Sequence, residues 1–163
     1  MDLLIVGAGE IGRWIADTVG ADESPLDATV AFADRDPDVA ADAAESRDAD
    51  VVPADGDTTH DAVCLAVPMS AVPAAVEAYA PRAERAMVDV SGEMTEAVAA
   101  MREHAPALER ASYHPLFAPP RVPGNVAAVI DADGPVVEGI SAAIAAGGND
   151  VFETTPAEHD EAM

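Results

Sequence analysis

Apolar and polar positions along this chain fall into blocks that switch repeatedly between a strand-like and a helix-like period. The opening "MDLLIVGAGEIGRWIADTV" reads as a short apolar strand, a glycine turn, and a helix with Ile11, Trp14, Ile15 and Val19 on one face. "ATVAFAD" (28–34) predicts a second strand, and "PDVAADAAESR" a helix with proline in its first turn. "ADVVPADG" is a weak third strand. "DAVCLAVP" (61–68) is a continuous apolar run of the kind buried on both faces of a sheet. Helix "AVPAAVEAYA", strand "RAMVDVS", helix "GEMTEAVAAMREHA", and strands "ERASYHPLF" and "NVAAVID" follow in order. Helix "GPVVEGISAAIAAGG" and strand "NDVFETT" come next, and "PAEHDEAM" starts a helix. Strand and helix signals alternating at this spacing predict an α/β fold with a doubly wound, mostly parallel, Rossmann-type sheet.

That pattern gives the first glycine turn a chemical meaning. "GAGEIG" places Gly7, Gly9 and Gly12 in G-x-G-x-x-G spacing, directly after a strand and opening a helix. Gly7 permits the tight turn, Gly9 lets backbone approach a pyrophosphate, and Gly12 lets the helix sit close to the sheet. Backbone N–H groups and the helix's positive end would hold the phosphates of a dinucleotide, and Gly7, Ala8, Gly9, Glu10, Ile11 and Gly12 are the residues expected to bind the cofactor at this turn. Asp34, about 20 residues beyond the last glycine, is placed to accept both ribose hydroxyls. Arg35 beside it could hold the extra phosphate of NADP, but Asp34 would repel that phosphate, so NAD is favoured. Ala66, Val67 and Pro68, at the exit of the fourth strand, are expected beneath the second ribose. Met69 and Ser70 follow; Ser70 could touch the cofactor or simply start a helix.

Charge narrows the partners. The 163 residues carry 31 Asp and Glu against 8 basic residues, all of them arginine, for a formal charge of −23. The acids are spread through a chain that is 50% hydrophobic, which argues for a folded domain with an acidic surface and against a disordered tail. Such a surface resembles that of proteins from salt-in halophiles, especially haloarchaea. No basic patch is available for nucleic acid or an anionic membrane. Neither a signal peptide nor an apolar run of transmembrane length is present, so a cytoplasmic protein is expected. The single cysteine, Cys64, excludes an internal disulfide and is expected to be inert core. Acid pairs such as Asp55/Asp57 and Asp131/Asp133 arise by chance among so many acids, so no metal is assigned.

Ligands of a doubly wound sheet bind beyond the carboxyl ends of its strands. Asp89, Ser91 and His114 stand at such ends, with Gly92 and Pro115 breaking the runs just after. Facing the crevice, His114 could take a proton from a substrate hydroxyl while hydride leaves the attached carbon. Its ordinary pKa of about 6.5 keeps it mostly neutral near pH 7. Spacing alone equally allows a ring that caps a strand and bonds the backbone. Of the other histidines, His60 and His104 are expected to be solvated. His159 could orient an interdomain hinge or lie on the surface. Trp14 is expected to serve packing.

Taken in order, "GAGEIG", "LAVP", "VDVSG" and above all His114-Pro115-Leu116-Phe117-Ala118-Pro119 resemble the prephenate/arogenate dehydrogenases of tyrosine biosynthesis, whose run is typically His-Pro-Met-Phe-Gly-Pro. The resemblance implies that His114 is the catalytic hydrogen-bond acceptor for the ring hydroxyl of a cyclohexadienol. It also implies that Ser91 assists His114 and the nicotinamide, and that loss of CO₂ makes the oxidation effectively irreversible. The family commonly has a lysine shortly after that serine, where this chain has Gly92-Glu93-Met94. It also continues into a helical domain that supplies dimer contacts and an arginine for the substrate's carboxylates. Residues 1–153 are therefore expected to form the dinucleotide domain. Residues 154–163 would begin the connection to that helical domain, which would make any homodimer. The fragment alone is expected to bind NAD with little or no turnover. Two alternatives stand beside this: another dehydrogenase of the superfamily acting on a hydroxy acid or an imine, and a non-catalytic NAD-binding module.

Overall fold

The computed structural model describes residues 1–118 and 123–162. Pro119, the last residue of the His-Pro run, and the rest of the proline-rich bend lie outside the described residues, as does Met163. The chain folds as strand β1 (Asp2–Val6), helix α1 (Glu10–Gly20), β2 (Thr29–Ala33), α2 (Pro37–Glu45), β3 (Asp50–Val51) and β4 (His60–Leu65). It continues with α3 (Val72–Tyr79), β5 (Ala83–Asp89), α4 (Thr95–His104), β6 (Glu109–Pro115) and β7 (Asn125–Ala132). Helix α5 (Pro135–Ala146), β8 (Asp150–Glu153) and α6 (Pro156–Ala162) complete it.

All these strands form one sheet in the order β3-β2-β1-β4-β5-β6-β7-β8, which is the Rossmann-type α/β fold. Both faces are covered, so successive strand residues feed opposite cores. Leu3, Ile5, Phe32 and Cys64 pack under α1, α2 and α5, while Leu4, Val6, Val63 and Leu65 pack under α3 and α4. Small residues let these layers approach closely: a Cβ on Gly139 of α5 would stand 2.7 Å from Leu26 Cδ1.

Every strand pair is parallel except β6 with β7. Only residues 116–124 join those two strands, which is too short for a parallel crossover. The weak strand expected over 49–56 shrinks to Asp50–Val51 because Pro53 has no N–H to continue the ladder beyond the Val52 N–H to Phe32 carbonyl bond (2.9 Å). β8 stops at Glu153, level with Ala128 of β7, which itself pairs with Tyr113. The chain then turns back, and α6 packs against α4 at the carboxyl end of the parallel strands. Among the described residues no helix is long and apolar enough to cross a membrane.

Candidate active site

The glycine turn between β1 and α1 forms the floor of a cleft of about 900 Å³. Gly7 has φ +98°, in the left-handed region, and its N–H donates to Ala33 O at 2.8 Å. A Cβ at Gly7 would collide with the Ala66 carbonyl at the end of β4, and one at Gly12 would collide with the Gly7 carbonyl. Gly9 differs: the space where its Cβ would go is open, and Gly9 borders the cleft. No side chain caps the N-terminus of α1, leaving first-turn amides to find partners outside the helix.

Gly7, Gly9, Glu10, Ile11, Asp34, Arg35, Ala66, Val67 and Pro68 all line this cleft. Ala8 and Gly12 do not; both are buried behind the turn. Ala8 acts through its amide, which donates to Asp34 Oδ2 at 2.8 Å, while Asp34 Oδ1 accepts the Asp36 N–H at 2.9 Å. Each Asp34 oxygen keeps a further acceptor site for a ribose hydroxyl. Ser70 lines the cleft, whereas Met69 points to solvent. Sequence reasoning missed the far wall, formed by Ala71, Ala74, Ala75, Ala78 and Tyr79. The signal was there: small residues at helical spacing directly after Pro68. Tyr79 is fixed by its hydroxyl donating to Ala54 O at 2.9 Å.

Ser91 borders the cleft at the end of β5, and next to it Gly92 takes φ +101°. A Cβ on Gly92 would stand 3.1 Å from His114 Nε2, so the ring of His114 sits directly against this segment, one residue beyond the cleft's edge. Half-buried His114 is not simply a strand cap. Its Nδ1 lies 2.7 Å from His159 Nε2, and His159 Nδ1 lies 2.7 Å from Asp160 Oδ1. The two imidazoles meet edge to face at 4.9 Å. Asp160 also accepts the Met94 N–H (3.2 Å), the Thr95 N–H (2.9 Å) and the Thr95 hydroxyl, capping α4 from α6. Burial and the neighbouring His159 lower the pKa of His114, so its ring is neutral at pH 7. Burial alone would raise Asp160, but hydrogen bonds from Thr95 and His159 hold it well below the usual carboxylate range.

Four expectations are corrected here. His159 is buried and bonded on both ring nitrogens, because α6 folds back over β6. His60 is buried as well, wedged between Thr58 Oγ1 and Asp2 Oδ2 at 3.0 Å each, because β4 begins at it. Asp89 does not face the crevice. It is fully buried, accepting the Ser112 hydroxyl at 2.6 Å and the Ser91 N–H at 2.9 Å, and burial pushes its carboxyl up despite those bonds. Finally, Ser91 makes no bond to His114; among the described residues its buried Oγ has no partner.

A family model described as NADP oxidoreductase, coenzyme F420-dependent, matches residues 2–93, the stretch that holds the glycine turn, Asp34 and Ser91. The chain belongs to that family. No curated protein matches it. Among solved structures, it is similar to prephenate dehydrogenase from A. aeolicus in complex with hydroxyphenyl propionate and NAD⁺, at 14% identity and TM-score 0.82, covering 99% of this chain and 62% of that one. It is also similar to Synechocystis arogenate dehydrogenase, at 18% identity and TM-score 0.78, with coverage of 99% and 62%. A pyrroline-5-carboxylate reductase from Coxiella burnetii follows at 15% identity and TM-score 0.72, with coverage of 94% and 58%. The chain thus spans about three fifths of the length of these proteins.

As a member of this oxidoreductase family the chain forms a Rossmann-type NAD(P)-binding domain, and its residues suit a dinucleotide. The uncapped start of α1 and the empty space at Gly9 accommodate a pyrophosphate without any lysine. Other singled-out residues serve the scaffold. Trp14 is buried and meets Phe117 edge to face at 5.5 Å. Cys64 is buried, and burial raises its thiol pKa. His104 is exposed at the end of α4. Asp131 is held by Arg102 and Arg110. Among the described residues no group of three or more His, Cys, Asp or Glu is arranged to hold a metal ion.

Proposed function

We propose that the chain is the cofactor domain of an enzyme that oxidatively decarboxylates prephenate, or its amino analogue arogenate, with NAD. The observation that carries this reading is the placement of His114 Nε2 against Ser91–Gly92 at the cleft's edge, while Nδ1 is tied back to His159. The His-Pro run that holds this ring and the likeness to two dehydrogenases of these substrates support it. Bound NAD would supply the hydride acceptor. Asp34, whose carboxylate would oppose a 2′-phosphate, favours NAD over NADP. His114 Nε2 accepts the ring hydroxyl's proton as that carbon becomes a carbonyl. Cleavage of the ring-to-carboxylate bond then releases CO₂, its electron pair completes the aromatic ring, and the proton returns from His114 to the oxygen. Ser91, whose buried hydroxyl has no partner among the described residues, would bind the reacting oxygen or the cofactor. A homodimer formed through a helical segment outside this chain, in a cytoplasmic setting, belongs to the same reading.

The test is to supply the full-length gene product with prephenate and NAD in molar KCl and to follow NADH. His114→Asn should lower kcat by about 10²–10⁴-fold, the usual worth of a positioned base. Full activity in that variant would remove His114 from the chemistry. Turnover of an imine or hydroxy acid, with none of prephenate or arogenate, would select a different dehydrogenase; the likeness to pyrroline-5-carboxylate reductase keeps that reading in view.

A further inference from the structure

We infer that Asp160 and His159 form a proton relay with His114, setting which nitrogen of His114 is free to act as a base and receiving the charge that it takes up. This rests on reading His114 as the base, although the protonation pattern itself is a property of the chain alone.

Asp160 sets the pattern. Its carboxylate accepts two backbone N–H groups and a hydroxyl at the start of α4, an arrangement that holds it ionised and acceptor-only. The only group His159 Nδ1 can present to it across 2.7 Å is an N–H. With a single proton on His159, which the relay requires before turnover, that N–H is its only one and Nε2 is a bare acceptor. His114 Nδ1, 2.7 Å away, must then be the donor, which leaves His114 Nε2 with its lone pair. That nitrogen is the one facing Gly92. Without the two α6 residues His114 would be free to take the opposite tautomer, whose Nε2–H cannot accept a proton.

The same contacts carry the proton onward. When a substrate O–H bond breaks and the Nε2–H bond forms on His114, its Nδ1–H proton can pass to His159 Nε2. The positive charge then rests on the ring bonded to the Asp160 carboxylate. The reverse shifts return the proton to the substrate oxygen. Among the described residues, the charged and titratable groups that bear on His114 are His159 and Asp160, both from α6, while Glu93 from the β5–α4 connection acts on Asp160. His159 is accordingly a positioning residue rather than a catalytic one.

The test is a two-bond ¹⁵N–¹H correlation spectrum of the ¹⁵N-histidine-labelled chain at about pH 7.5, where the four imidazoles are assigned by single substitutions. His114 and His159 should both carry their proton on Nδ1. Asp160→Asn turns an acceptor into an amide whose NH₂ can donate to His159 Nδ1, so both rings should move their proton to Nε2. In the full-length product the same variant should lower kcat with prephenate by about 10²-fold or more with little change in KM. A His114 Nε2–H in the parent chain, or unchanged tautomers in Asp160→Asn, would overturn the relay; the parent spectrum decides even if the variant fails to fold. Nδ1–H on both rings in a product that ignores prephenate would sustain the relay and count only against the substrate.

Discussion

Gly9 and Gly12 belong to one hexapeptide, yet the structure asks different things of them. At Gly12 a methyl would strike the Gly7 carbonyl, so Gly12→Ala should destabilise the domain by about 1–3 kcal/mol, the cost of overpacking. At Gly9 a methyl would enter open space at the cleft, and its φ of −79° suits alanine. Gly9→Ala should therefore keep the parent's melting temperature within a few degrees while NAD affinity falls at least about 10-fold, by loss of the close approach. Thermal melts and an NADH fluorescence titration separate the two effects. Parent-like affinity in Gly9→Ala would mean that the pyrophosphate lies elsewhere.

Between elements, Asp89 ties the end of β5 to β6 through Ser112 and to its own turn through the Ser91 amide. Because burial raises its pKa, the folded chain holds this proton where the unfolded chain has lost it. Stability therefore falls as pH rises from the ordinary carboxylate value through the raised one. Asp89→Asn keeps an acceptor for the Ser91 amide and offers its NH₂ to the Ser112 oxygen. It should melt several degrees above the parent at about pH 8 and level with it at about pH 4; a constant gap across that range would show that Asp89 does not titrate there. The strands, their burial on both faces and the glycine turn were legible because each is written within ten or so neighbouring residues. The contents of the corner around His114 were not. His159 sits in "AEHDEAM", whose polarity reads as surface, and its burial depends on β8 ending early and α6 folding back onto residues 45 and 65 positions earlier. His60 and Asp89 were misplaced for the same reason: their partners, Asp2 and Ser112, are far away in sequence.

At the scale of the molecule, charge dominates. The eight arginines leave most of the 31 acids unpaired, although Arg13, Arg47, Arg102 and Arg110 each hold an aspartate. Raising KCl from about 0.05 to about 3 M shortens the Debye length below the spacing of most surface charges. The domain should gain about 3 kcal/mol, or about 10 °C in melting temperature for a chain of this size. An unchanged melting curve would show that the acids do not strain the compact state. The sheet also divides labour along the chain. Among the described residues, those that line the cleft are in place by Ser91, whereas the imidazole pair and its carboxylate come from β6 and α6. If the proposed function holds, nucleotide preference and proton handling are encoded in separate stretches, and a lineage can revise Asp34 and Arg35 without disturbing the His114 corner, or exchange that corner on an unchanged nucleotide scaffold.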